Sequence, residues 1–180
     1  MEIVNFAQAA EAQRHAAAQL LRQAFPQAYA DSAEAEVGAI LQPERISFAA
    51  MEGDELIGFV GAIPQYGVTA WELHPLVVDA RFRGQGIGRA LCTALEDALR
   101  ERGCLTVYLG TDDDNDATSL SGTDLFEDTF EKIRDIQNLK HHPYGFYQRI
   151  GYRIVGVIPD SGGLGRPDIW MAKSLVRRPV

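Results

Sequence analysis

Two periodicities take turns along this chain. Residues 2–7 read Glu-Ile-Val-Asn-Phe-Ala, a short strand; Ala17, Leu20, Leu21, Ala24 and Phe25 then recur at helical spacing up to Pro26. Ser32 is placed to cap a second short helix that runs to about Leu41 and stops before Pro43. Residues 46–51 and 56–63 are strand-like, joined by the turn Glu52-Gly53-Asp54-Glu55, and Gly67 separates this hairpin from a strand over 71–78. The clearest helix follows. Ile87, Ala90, Leu91, Ala94, Leu95, Ala98 and Leu99 form an unbroken i, i+3, i+4 stripe that ends at Gly103. A strand over 105–109, helical spacing of Phe126, Phe130 and Ile133, a short helix over 144–150 and strands over 152–158 and 168–172 complete the chain, with Ser161-Gly162-Gly163 as the last turn. The pattern predicts one α+β domain over residues 1–180.

Composition changes this picture little. With 46% hydrophobic residues and no long apolar run, the chain reads as an ordinary globular protein with no membrane partner. No basic region followed by an apolar one opens it, and its two cysteines, Cys92 and Cys104, both lie in apolar patterns. Free buried thiols in the cytoplasm are the expectation, and the four histidines show no metal spacing. A formal charge of −8 argues against nucleic acid as a partner. That charge is concentrated: residues 111–142 hold nine acids against three bases, Lys132, Arg134 and Lys140, a net −6. A small cationic partner fits such a segment, although a solvated face accounts for the helix acids Glu127, Asp128 and Glu131.

Candidate chemistry begins at Arg83-Gly84-Gln85-Gly86-Ile87-Gly88, a glycine-rich turn between strand and helix. Such a turn presents backbone N–H groups to an anion. A nucleotide hydrolase loop needs Gly-Lys-Ser/Thr, yet Gly88 is followed by Arg89-Ala90; a dinucleotide fingerprint needs glycine where Arg89 stands. The turn therefore takes another ligand or none. Upstream, strand alternation puts Glu72, His74 and Leu76 on one face, and Pro75 marks an edge or a bulge that would leave an N–H of Leu76 or Val77 open. A plain edge strand with a solvated Glu and His is the competing reading.

The segment Val78-Asp79-Ala80-Arg81-Phe82-Arg83-Gly84-Gln85-Gly86-Ile87-Gly88 resembles the acetyl-CoA pyrophosphate motif of the GNAT acetyltransferase superfamily, Arg/Gln-x-x-Gly-x-Gly/Ala. Phe146-Tyr147-Gln148-Arg149-Ile150-Gly151-Tyr152 resembles its second signature, a tyrosine ahead of a Gly-aromatic pair; Lys140 stands where an asparagine is common. Gly61–Gly67, Trp71–Leu76, Tyr108–Asp113 and Pro167–Lys173 are similar to the chromosomal enterococcal type of aminoglycoside 6′-N-acetyltransferase. The likeness is strongest over residues 54–178.

This resemblance implies a mixed, mostly antiparallel sheet flanked by helices, with a splayed central strand pair, and a homodimer. It implies acetyl-CoA as the co-substrate and no metal: the backbone of Leu76 and Val78 would take the acetyl and pantetheine, and the N–H groups of Arg83, Gly84, Gln85, Gly86, Ile87, Gly88 and Arg89 the pyrophosphate. An N–H of Leu76 aimed at the thioester oxygen would contribute ~3 kcal/mol. Glu72 and His74 are candidates for deprotonating or positioning the amine. Tyr147 would sit by the cofactor sulfur as general acid, where otherwise it reads as a packing aromatic. Asp112, Asp113 and Asp168, with Glu72, would attract a polycationic aminoglycoside, and acetylation of its 6′-amine would confer resistance. A polyamine or other small amine acceptor, and a CoA-binding regulatory module without turnover, are the rivals.

Overall fold

The Pro26 that ends the first long helix also starts the next, because a ring locked near helical φ suits a first turn. In the computed structural model, which describes residues 1–177, Glu2–Asn5 (β1) leads through a 3₁₀ turn into Glu11–Ala24 (α1), Pro26–Tyr29 (α2) and Ala33–Ile40 (α3). Ile46–Glu52 (β2), Glu55–Tyr66 (β3), Ala70–Val78 (β4), a second 3₁₀ turn over Ala80–Phe82 and Ile87–Glu101 (α4) follow. These elements form a first compact unit, Met1–Leu105. Its strands pair antiparallel in the order β1-β2-β3-β4.

One face of this sheet is covered by α1 and α3 through Ala17, Leu21, Val37 and Ile40, which pack with Phe6, Phe59 and Val77. Phe6 and Phe59 sit ring to ring at 5.5 Å. The α4 stripe is buried as expected at Ile87, Leu91, Leu95 and Leu99, but Cys92 and Glu96 share the buried face while the predicted alanines are only half-buried. Gly58 lets this helix and β4 close in, since a Cβ there would stand 2.8 Å from the Val77 carbonyl oxygen. Cys92 and Cys104 are both buried free thiols.

The second unit begins at Thr106. It contains Thr106–Asp112 (β5), Thr129–Arg134 (α5), Tyr144–Arg149 (α6), Arg153–Ile158 (β6) and Asp168–Ser174 (β7). β7 lies between β5 and β6 and runs antiparallel to both. The spacing of Phe126, Phe130 and Ile133 does not mark a buried stripe: α5 is short, and Phe126 and Phe130 are 75% and 80% exposed. Glu127, Asp128 and Glu131 are likewise exposed, the solvated reading of that segment.

Candidate active site

The alternation in β4 holds throughout. Trp71, Leu73, Pro75 and Val77 are buried, while Glu72, His74, Leu76 and Val78 are half-buried on the opposite face. The predicted bulge is there: Val60 pairs with Leu76 and Ala62 with Leu73, so β4 carries one residue more than β3 around His74 and Pro75. The His74–Pro75 peptide is cis. Gly61 accommodates the bulge, because a Cβ on it would meet the His74 carbonyl oxygen at 2.7 Å and Ile40 at 3.2 Å. Glu72 is steadied by Gln65, whose Nε2 donates to Oε2 at 2.8 Å. His74 Nε2 lies 3.0 Å from the Tyr29 hydroxyl and 3.8 Å from Glu36 Oε1, which in turn lies 3.6 Å from Arg45 Nη1. Burial, with the Glu36 charge adding to it, pushes the Tyr29 hydroxyl up to about 12.

Beyond β4 the chain enters the glycine turn. Gly84 and Gly86 take left-handed φ of +78° and +84°, and nothing lies within 4 Å of a Cβ built on either. Gly86 is the N-cap of α4 and offers no capping side chain, and no acid stands in the first turn. The helix therefore opens with unshielded N–H groups and no competing carboxylate, the arrangement that receives an anion. Arg83 reaches back, its Nε donating to the Val78 carbonyl at 3.1 Å. Arg81, two residues before Arg83, is engaged elsewhere: Asp79 accepts its Nε at 3.1 Å and its Nη2 at 2.6 Å, and Glu55 accepts Nη2 at 2.5 Å. The Arg81 hydrogen bond in turn holds the Asp79 carboxyl below its ordinary range, against the opposing effect of burial.

In the second unit, Tyr147 on α6 is 9% exposed and set edge-on to Phe146 and Tyr152, with ring centroids at 5.1 and 5.6 Å. Two residues that the sequence did not single out position this helix. Asn138 clamps the backbone of His142, accepting its N–H at 2.7 Å and donating to its carbonyl at 2.9 Å. His142 accepts the Tyr144 N–H at Nδ1 (3.2 Å), so its Nε2 carries the hydrogen donated to the Asp112 carbonyl at 3.1 Å. Lys140 instead donates to the Asn115 carbonyl.

The three aspartates have different tasks. Asp112 and Asp168 stand directly opposite each other in the β5–β7 register. Burial and the neighbouring Asp114 charge raise the Asp112 carboxyl above its usual range. The Trp170 indole N–H donates to Asp168 Oδ2 at 2.7 Å, and Gly110 leaves the room that this carboxylate fills. Asp113 is not a groove residue. It is wholly buried, and its oxygens accept from Ala117 N (2.6 Å), Thr118 N (2.8 Å) and Ser121 Oγ (2.6 Å), closing the loop after β5. Burial acts to raise its carboxyl, but those hydrogen bonds outweigh it and hold it below the ordinary range. Among the described residues no cluster of His, Cys, Asp and Glu is placed to hold a metal ion, and no helix is long and apolar enough to cross a membrane.

The sequence model of the acetyltransferase (GNAT) family matches residues 14–119. The chain belongs to the GNAT family. A crystal structure of an aminoglycoside 6'-N-acetyltransferase complexed with coenzyme A shares 50% identity with this GNAT chain, covers 100% of both chains and superposes with a TM-score of 0.96. The aminoglycoside 6'-N-acetyltransferase from Enterococcus faecium is 49% identical over 100% of both chains, with a TM-score of 0.94. An aminoglycoside 6'-acetyltransferase of type Ii is 42% identical, covers 99% of this chain and 100% of its own, and gives a TM-score of 0.79. A comparison with curated proteins returned no match. The fold is thus the GNAT fold that the two signatures implied.

Proposed function

We propose that this GNAT enzyme transfers the acetyl group of acetyl-CoA to the 6′-amine of aminoglycosides such as kanamycin, thereby conferring resistance, and that it works as a single-domain cytoplasmic homodimer. The observation that carries the reading is the full-length likeness to an aminoglycoside 6'-N-acetyltransferase complexed with coenzyme A. The residues suit the co-substrate: the open space above Gly84 and Gly86 and the acid-free first turn of α4 are what a pyrophosphate requires. Arg83, Gly84, Gln85, Gly86, Ile87, Gly88 and Arg89 hold it there, and the backbone of Leu76 and Val78 takes the acetyl-pantetheine arm beside the bulge. Acetyl-CoA supplies an activated acyl group as its thioester. Glu72 and His74 receive the amine, a carboxylate to hold the ammonium and a base to remove its proton. Tyr147 returns a proton to the departing sulfur. Glycine is required at 86 twice over, for its φ of +84° and for close approach of the phosphate. A folded Gly86→Val variant is expected to bind acetyl-CoA at least ~10-fold more weakly, about 1.4 kcal/mol, in a calorimetric titration. Unchanged affinity would remove the turn from the site.

Asp112 and Asp168 give the acceptor side its charge. They stand side by side in the β5–β7 register, and a polycation seated there would also offset the Asp114 charge that acts on Asp112. Exposed charge pairs weaken as the Debye length shortens to ~8 Å at physiological ionic strength. KM for kanamycin, measured at saturating acetyl-CoA, should therefore rise with added salt. Glu72→Gln should raise KM or lower kcat. A KM for kanamycin that ignores salt would contradict the electrostatic part of the proposal.

A further inference from the structure

Two short helices that carry no recognisable motif converge on the ring of His74. Tyr29, the last residue of α2, places its hydroxyl 3.0 Å from Nε2, and Glu36 of α3 places Oε1 3.8 Å from the same nitrogen. Arg45, on the loop before β2, brings Nη1 to 3.6 Å from that same carboxylate oxygen. Glu36 Oε1 and Arg45 Nη1 are buried atoms, and neither makes a hydrogen bond in the structure. An ion pair built only to tie α3 to the loop would close to about 2.7–2.9 Å and satisfy both atoms. Here the oxygen is suspended between a guanidinium and an imidazole. A buried carboxylate oxygen left in this state is costly, and a hydrogen or charge arriving on the imidazole would be met by it directly.

The ring's two nitrogens are therefore unequal. Glu36 can only accept, so its proximity favours a hydrogen on Nε2, where the Tyr29 oxygen is also placed to accept it. Nδ1 has no hydrogen-bond partner among the described residues, and the His74 side chain is 39% exposed. We infer that Tyr29 and Glu36 are positioning residues for His74: they hold the imidazole as its Nε2–H tautomer and leave Nδ1 to take the proton of the substrate ammonium. The inference rests on the reading of the Glu72–His74 face as the amine site. The proton balance is simple. The ammonium N–H bond breaks as the Nδ1–H bond forms, the amine becomes a neutral nucleophile, and the imidazolium so formed faces the Glu36 carboxylate. Loss of the Nδ1 proton to solvent restores the ring.

The test combines ring ¹⁵N NMR of histidine-labelled protein with kinetics of Glu36→Gln and Tyr29→Phe. The wild-type His74 ring should give the Nε2–H pattern, and Glu36→Gln should shift it toward a mixture of tautomers. Glu36→Gln should lower kcat about tenfold, part of the ~10²–10⁴ that a positioned base contributes, with acetyl-CoA affinity and KM for kanamycin within about twofold of wild type. In a His74→Asn background, Glu36→Gln should cause no further loss, since its effect passes through the ring. Tyr29→Phe, which removes one oxygen and keeps the packing, should lower kcat less than Glu36→Gln and likewise lose its effect in that background. An Nδ1–H wild-type ring, or a Glu36→Gln loss that persists without His74, would overturn the inference and leave Glu36 as an anchor for Arg45. Absence of any kanamycin-dependent turnover by the wild type would sink the parent reading instead, and the ring spectra would still decide where the hydrogen sits.

Discussion

Tyr147→Phe should lower kcat about 100-fold while leaving acetyl-CoA affinity within about twofold. A general acid contributes ~10²–10⁴, and a thiolate is already a fair leaving group, which puts the expectation at the low end. The ring is packed edge-on to Phe146 and Tyr152, contacts that phenylalanine keeps. Single-turnover kinetics separate the acyl-transfer step from product release. A variant that retains wild-type kcat while chemistry limits turnover would leave Tyr147 a packing residue only.

The largest expected effect on stability comes from Asp113. Replacing it by alanine strands the buried N–H groups of Ala117 and Thr118 and the Ser121 hydroxyl, which all donate to this one carboxylate. Each stranded donor costs on the order of 1–3 kcal/mol, so Asp113→Ala should destabilise the protein by about 3–4 kcal/mol in urea denaturation. The pH dependence has a definite sign. The folded carboxyl lies below its ordinary range, so its stabilisation is complete above the unfolded value of about 3.9 and is lost as pH falls through the depressed folded value. Wild-type stability should therefore fall below about pH 4 more steeply than that of Asp113→Ala. Parallel pH curves for the two proteins would show that the carboxylate does not hold the loop.

These two residues also mark how far the sequence could be read. The β4 alternation, the bulge at Pro75, the glycine turn and the α4 stripe were legible because each is a local pattern with a local cause: pleat, missing donor, positive φ and helical repeat. Asp113 was not, because it sits in the run Asp112-Asp113-Asp114 and only the return of residues 117–121 onto it distinguishes it from its neighbours. Arg81 is held both locally, by Asp79 two residues before it, and by Glu55, 26 residues away on a hairpin; only the second contact is hidden in the sequence. Tyr29 and Glu36 carry no periodic signal, as they belong to helices of four and eight residues, and their relation to His74 exists only once those helices pack. The spacing of Phe126 and Phe130 was not a helical repeat, since Phe126 precedes the helix that starts at Thr129, and both rings are exposed. Tertiary contacts made over long sequence separations decide such cases.

The proposed reaction is an acetyl transfer whose acceptor is an amine at the aminoglycoside 6′ position. The most direct measurement is thiol release from acetyl-CoA by the purified protein, with kanamycin, an analogue bearing a 6′-hydroxyl, and spermidine compared in one assay. Kanamycin-dependent release of free CoA is expected, with none above background for the 6′-hydroxyl analogue and poorer turnover of spermidine. Efficient acetylation of spermidine with none of kanamycin would contradict it, leaving a GNAT acetyltransferase for a different cation.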